Sequence, residues 1–150
     1  MPASNAASRP DPVADRFESV VEIGRVLGST LDLDALLAFV MDRITELLDA
    51  ERSTLFLVDR QSGELWSKVA QGAGLEKIRL ASGEGLAGHV ARTGEIVNVA
   101  DAYTDPRFNA DVDRITGYHT AALLAVPLRG KDGSVIGVAQ ALNRRGGGVF

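Results

Sequence analysis

Apolar residues at Leu33, Leu36, Leu37, Val40, Met41, Ile44, Leu47 and Leu48 recur at helical spacing as far as Asp49, with Asp34, Asp42, Arg43 and Glu46 opposite them. A stripe that wide predicts an amphipathic helix lying on a sheet. After Ala50-Glu51-Arg52 the period changes. Thr54–Asp59 and Glu64–Gln71 read as strands joined at Ser62-Gly63 into a hairpin, and Trp66 on the second strand is expected in the core. Lys77–Leu80 follows as a short third strand. Farther on, Ala121–Leu128 is apolar enough for a buried central strand, Gly130-Lys131-Asp132-Gly133 is a turn, and Ser134–Asn143 is the last strand. Gln140 interrupts that strand's apolar run, and its amide needs a partner, either backbone or a bound molecule.

Between these hairpins lies the segment Ser82–Thr120. A short helix, Leu86–Thr93, is flanked by glycines and closes at Gly94; the strand Ile96–Val99 follows, and a second short helix is expected at about Ala110–Gly117. The helix opening at Gly85-Leu86 leaves backbone N–H groups without intrahelical partners at the positive end of the dipole, which suits a polar or anionic ligand group. This segment is expected to wall a small-molecule pocket.

Upstream, residues 1–10 are small, polar and proline-containing, and are expected to be disordered. Asp11-Pro12 supplies a cap and a first-turn proline for a helix over 11–28, in which Phe17, Val20, Gly24, Leu27 and Leu31 follow a 3,4 spacing. That seam suits pairing with a second copy, a homodimer through the N-terminal helix, or packing on its own domain. At the other end, Arg144–Phe150 reads as a loop, and one more helix beyond it is expected to complete the fold, making this chain a fragment. The sum is an α+β domain: an antiparallel-rich central sheet, amphipathic helices on one face, and a ligand-lid helix/loop region on the other.

Composition narrows the chemistry. A net charge of −4 and the absence of any bilayer-length apolar run argue against nucleic acid or membrane as the main partner. The N-terminus lacks a signal-peptide core, so a cytoplasmic location is expected. The chain has no cysteine, which excludes disulfides, thiol catalysis and thioether attachment of a chromophore; no covalently bound cofactor is expected.

The segments FLVDRQSGELWSKVA, GEGLAGHVARTGEIVNVADAYTDPRFN and RITGYHTAALLAVPLRGKDGSVIGVAQALNR together resemble a GAF domain over residues 31–150. GAF domains are regulatory modules of cyclic-nucleotide phosphodiesterases, some adenylate cyclases and many bacterial signalling proteins. Asn143, Arg144 and Phe150 resemble the opening of the signature of the cyclic-nucleotide-binding branch, whose acidic pair would lie beyond Phe150. The resemblance implies a ligand site. It places Leu86 and Ala87 at the ligand-facing helix start, Asp113, Thr116 and Thr120 on the lid and the following strand, and Thr54 at the pocket floor. It also marks departures: Ala70 and Asn109 stand where nucleotide binders can carry aromatics, and Gln71 and Gln140 where they carry acidic residues. A lost base–aromatic stack costs about 1–3 kcal/mol, one to two decades of affinity.

Three readings follow. The first is a sensor binding a small molecule, with cyclic AMP or cyclic GMP the leading candidate by resemblance, and relaying to an output domain elsewhere in a longer protein. Against it stands the view that Asp101, Asp105, Asp111 and Asp113 only cap turns and face solvent. The second is a ligand-free dimerisation and signal-relay module. The third, an enzyme, is disfavoured: related methionine sulfoxide reduction needs cysteines, and Asp111 and Asp113 have no nucleophile–base pair beside them. Haem ligation by His89 or His119 would announce itself by a Soret band.

Overall fold

The computed structural model describes residues 33–71 and 78–150. Leu37–Phe150 forms one compact unit, which contains the sheet and the cavity described below. The disordered segment, the helix and the pairing seam expected before residue 31 lie outside the described residues.

Helix α1 (Leu33–Leu47) stops at a left-handed turn, where Asp49 has φ 52°, and β1 (Ala50–Val58) begins at once. Strand β1 thus starts earlier than its local pattern suggests. Ala50 and Arg52 pair with Arg144 and Leu142 of the long last strand, and this pairing recruits residues with little strand character of their own. Strands β2 (Leu65–Ala70) and β3 (Arg79–Leu80) follow, then helix α2 (Gly85–Thr93) and β4 (Val97–Val99). A 3₁₀ turn at Ala102–Thr104, which the sequence pattern does not announce, precedes helix α3 (Asp111–Thr116). Strands β5 (Leu123–Arg129) and β6 (Val135–Arg144) complete the fold. All six strands form one antiparallel sheet in the order β3-β2-β1-β6-β5-β4.

Side chains alternate between the two faces of the sheet. On one face α1 packs Met41, Leu37 and Ile44 against Leu55, Ala139 and Val126. A polar joint ties this helix down: Thr45 Oγ1 and Ser53 Oγ are 2.7 Å apart, and the Gln71 carboxamide accepts Ser53 N–H at 2.8 Å and donates to Asp42 at 2.6 Å. The opposite face carries the larger core, with Phe56, Leu65, Leu123 and Val138 beneath Leu86 and Val90 of α2. Helix α2 can sit this low because Gly88 has no side chain: a Cβ there would lie 2.5 Å from the carbonyl carbon of Gly83. Its C-terminus closes as expected on Gly94, at φ 72°, whose N–H donates to Val90 O.

Trp66 departs from its expected place. It is half-buried, belongs to neither core cluster, and has the Lys68 ammonium 5.6 Å from its ring centroid. A register shift between Leu55 and Phe56 opposite β2 alters which residues of this strand face inward. No helix among the described residues is long and apolar enough to cross a membrane.

Candidate functional site

The sheet face opposite α1 floors a cavity of about 650 Å³, counted out to its open mouth. Alternation supplies the floor. Arg52, Thr54 and Phe56 of β1 point the same way, Thr54 pairs with Gln140 of β6, and Arg52 pairs with Leu142. The start of α2 forms one wall through Leu86 and Ala87. The segment around α3 forms another through Phe108, Asn109, Val112, Asp113 and Thr116. All ten residues singled out from the sequence (Thr54, Ala70, Gln71, Leu86, Ala87, Asn109, Asp113, Thr116, Thr120 and Gln140) border this one hollow.

Bordering the hollow is not the same as offering a free group to it. Asp113 is 8% exposed, and its carboxylate accepts the Thr120 N–H at 2.7 Å, the Thr120 hydroxyl at 2.8 Å and the Tyr103 phenol at 2.7 Å. That last bond raises the Tyr103 pKa above the usual phenol value, with desolvation as the next cause. Thr116 Oγ1 donates to Val112 O at 3.0 Å. The Asn109 amide donates to Glu84, and its carbonyl accepts Asp111 N–H. The Gln71 amide is spent on Ser53 and Asp42, on the α1 side of the sheet. All five polar lid and edge residues, Gln71, Asn109, Asp113, Thr116 and Thr120, are thus held by their own neighbours.

Thr54 and Gln140 are different. Thr54 is 4% exposed, and neither its hydroxyl nor the Gln140 carboxamide has a hydrogen-bond partner among the described residues. Their side chains sit side by side on the floor because β1 and β6 pair in that register. A hydroxyl and an amide that face a hollow without protein partners are the kind of groups that a ligand satisfies.

Alternation also finds what sequence reasoning missed. Arg52 is two positions before Thr54 and Leu142 two after Gln140, on the same face. Tyr118 is the larger omission, since nothing in its local pattern marks it. Its phenol donates to Glu51, accepts from Asn143 Nδ2 at 2.9 Å and has the Arg52 guanidinium 3.9 Å from its ring centroid. Burial first, then the bond to Glu51, pushes the Tyr118 pKa up to about 12. Asn143, in the left-handed region at φ 54°, joins this group to the lid: Nδ2 also donates to His119 O at 2.8 Å, and Oδ1 accepts Ala121 N–H at 2.7 Å.

The acidic residues outside the cavity act locally. Asp101 caps the 3₁₀ turn, and Asp105 pairs with Arg107 at 2.7 Å, which holds its carboxyl below the usual range. Neither histidine borders the cavity. His119 stacks on Tyr103 with centroids 4.5 Å apart, and His89 Nε2 is buried 3.7 Å from Glu95. No group of three or more His, Cys, Asp or Glu side chains suited to a metal ion occurs among the described residues.

An α+β domain with a six-stranded antiparallel sheet, one helix beneath it and a roofed cavity above is the class to which these features point. The model of the GAF domain family matches residues 32–150, and the chain belongs to that family. It is 38% identical over 152 residues to the dual 3',5'-cyclic-AMP and -GMP phosphodiesterase 11 of Drosophila melanogaster, an alignment covering 91% of this chain and 10% of that protein. The chain therefore spans about a tenth of the length of this curated relative. Among solved structures, the GAF domain of a phosphoenolpyruvate-protein phosphotransferase from Coxiella burnetii is similar, with TM-score 0.66 and 26% identity over 88% of this chain and 79% of that one. So is a free methionine-R-sulfoxide reductase from Neisseria meningitidis in complex with its substrate, with TM-score 0.61 and 28% identity over 90% and 77%.

Proposed function

We propose that this GAF domain is a sensor: its cavity binds a small molecule, a cyclic nucleotide being the leading candidate, and occupancy is relayed to an output domain in a longer protein. One observation carries the reading. The floor presents a hydroxyl and an amide without hydrogen-bond partners among the described residues, Thr54 and Gln140, inside a mostly apolar hollow. Similarity to a segment of a protein named for cyclic AMP and cyclic GMP favours the nucleotide. Ala70 and Asn109, where an aromatic could stack on a base, weaken the expected affinity by one to two decades. The lid residues fixed by Asp113 act in this reading as the frame of the site, and the floor as its reader.

The test is thermal unfolding with each nucleotide. At a concentration a hundredfold above the dissociation constant, binding to the native state alone adds about 2.7 kcal/mol of stability. If saturating cyclic AMP and cyclic GMP both leave the melting temperature unmoved, the nucleotide reading is lost.

A ligand-free dimerisation and relay role draws on a separate observation. Helix α1 leaves Phe39 and Val40 half-exposed and Leu47 84% exposed, an apolar row that a partner helix would cover. Sedimentation of the protein at increasing concentration, with and without nucleotide, separates this reading from sensing.

A further inference from the structure

Charge in the cavity is unbalanced. Among the described residues two charged ones border it, and one of them, Asp113, has both carboxylate oxygens occupied by Thr120 and Tyr103. The other is Arg52. Its guanidinium lies against the Tyr118 ring and makes no hydrogen bond or ion pair among the described residues. A planar fork of five donors is thereby held by a ring face alone, with its hydrogen-bonding capacity unused. Arg52 and Thr54 share one face of β1, so their Cα atoms are separated by two strand residues, about 7 Å. Apolar Leu142 and Phe56 flank them, and Gln140 sits beside Thr54.

We infer that Arg52 is the anion-reading residue of this cavity, and that the ligand carries one anionic group in addition to a neutral hydrogen-bonding edge. The guanidinium leaves or tilts from the Tyr118 face to pair with the anion in the two-pronged geometry that carboxylate and phosphate accept. The neutral edge meets the Thr54 hydroxyl and the Gln140 amide. The Tyr118 ring serves as the resting place of the cation, fixed from behind by Glu51 and Asn143. This assignment rests on the reading that the cavity takes a ligand, but not on that ligand being a nucleotide.

The experiment compares wild type with Arg52→Gln and Arg52→Lys, each checked for an unaltered fold by thermal unfolding. The probes are cyclic AMP, cyclic GMP, the uncharged nucleosides adenosine and guanosine, and phenyl phosphate as an anion unrelated to nucleotides. Calorimetry gives affinities, and the Arg52 Nε–H resonance reports on the guanidinium. Arg52→Gln is expected to weaken every anionic probe that binds by about tenfold or more, to change nucleoside binding less than about threefold, and to be partly rescued by Arg52→Lys. If phenyl phosphate moves the Arg52 resonance saturably while neither nucleotide binds, Arg52 stands and the nucleotide reading falls. If nucleotides bind wild type and Arg52→Gln equally well, the nucleotide reading stands and Arg52 is the wrong residue. If no anionic probe moves the resonance, the assignment is overturned outright.

Discussion

Asp113 holds Thr120 twice, accepting its backbone N–H at 2.7 Å and its hydroxyl at 2.8 Å. Helix α3 is thereby fastened to the chain just before β5, across seven residues of the roof. The Tyr103 phenol joins the same carboxylate and brings in the 3₁₀ turn. Removing Asp113 strands buried donors, so Asp113→Ala is expected to destabilise the domain by about 2–4 kcal/mol, and Asp113→Asn by less. Denaturant unfolding checks this. A ligand-contact role alone predicts no loss of stability without ligand.

Thr54 and Gln140 predict the reverse. Thr54→Val replaces a hydroxyl that faces the cavity without a protein partner by a methyl group, and the ligand-free domain is expected to keep its stability to within about 1 kcal/mol. The same change should weaken a ligand bound through that hydroxyl by about threefold to tenfold. Gln140→Leu should follow the same pattern. A nearly unchanged melting temperature with poorer binding is the signature; a marked loss of stability would mean that the hydroxyl has a structural partner.

Alkaline titration tests the network behind the cavity. The chain has two tyrosines, Tyr103 and Tyr118, and both are raised in the folded state. Raised phenol values mean that the native state binds protons more tightly, so this stabilisation is complete below the ordinary phenol value near 10 and is lost as pH rises towards about 12. Ultraviolet absorbance is expected to show little tyrosinate in the folded protein near pH 10, with normal ionisation after unfolding in denaturant. Tyr118→Phe should remove the higher-pH part of the folded-state transition.

Gly88→Ala tests how closely α2 approaches the turn before it. The added Cβ would meet the Gly83 carbonyl carbon at 2.5 Å and its Cα at 3.0 Å, so backbone must move. A loss of about 1–3 kcal/mol is expected, together with altered amide exchange at Leu86 and Ala87 on the cavity wall.

Much of this was legible in advance, because strands floored by a core repeat every second residue. Thr54, Phe56, Val138 and Gln140 follow that rule, and the glycine that closes α2 follows from capping. Gln71 shows where the rule stops. The register shift at Leu55/Phe56 falls between the two strands, and nothing local says that its amide would turn to Ser53 and Asp42. Tyr103 was equally opaque, since its bond to Asp113 closes a loop of ten residues whose path depends on the whole roof. A side chain's type could be read from the sequence, but not whether its polar atoms were already engaged.

Asn143 lets one amide grip the roof's descending end through His119 O and Ala121 N–H while its own backbone, at φ 54°, sets the direction in which the chain leaves β6. In the sensor reading, a guest that displaces the roof is expected to turn the chain leaving β6 as well, because both hang on the same residue.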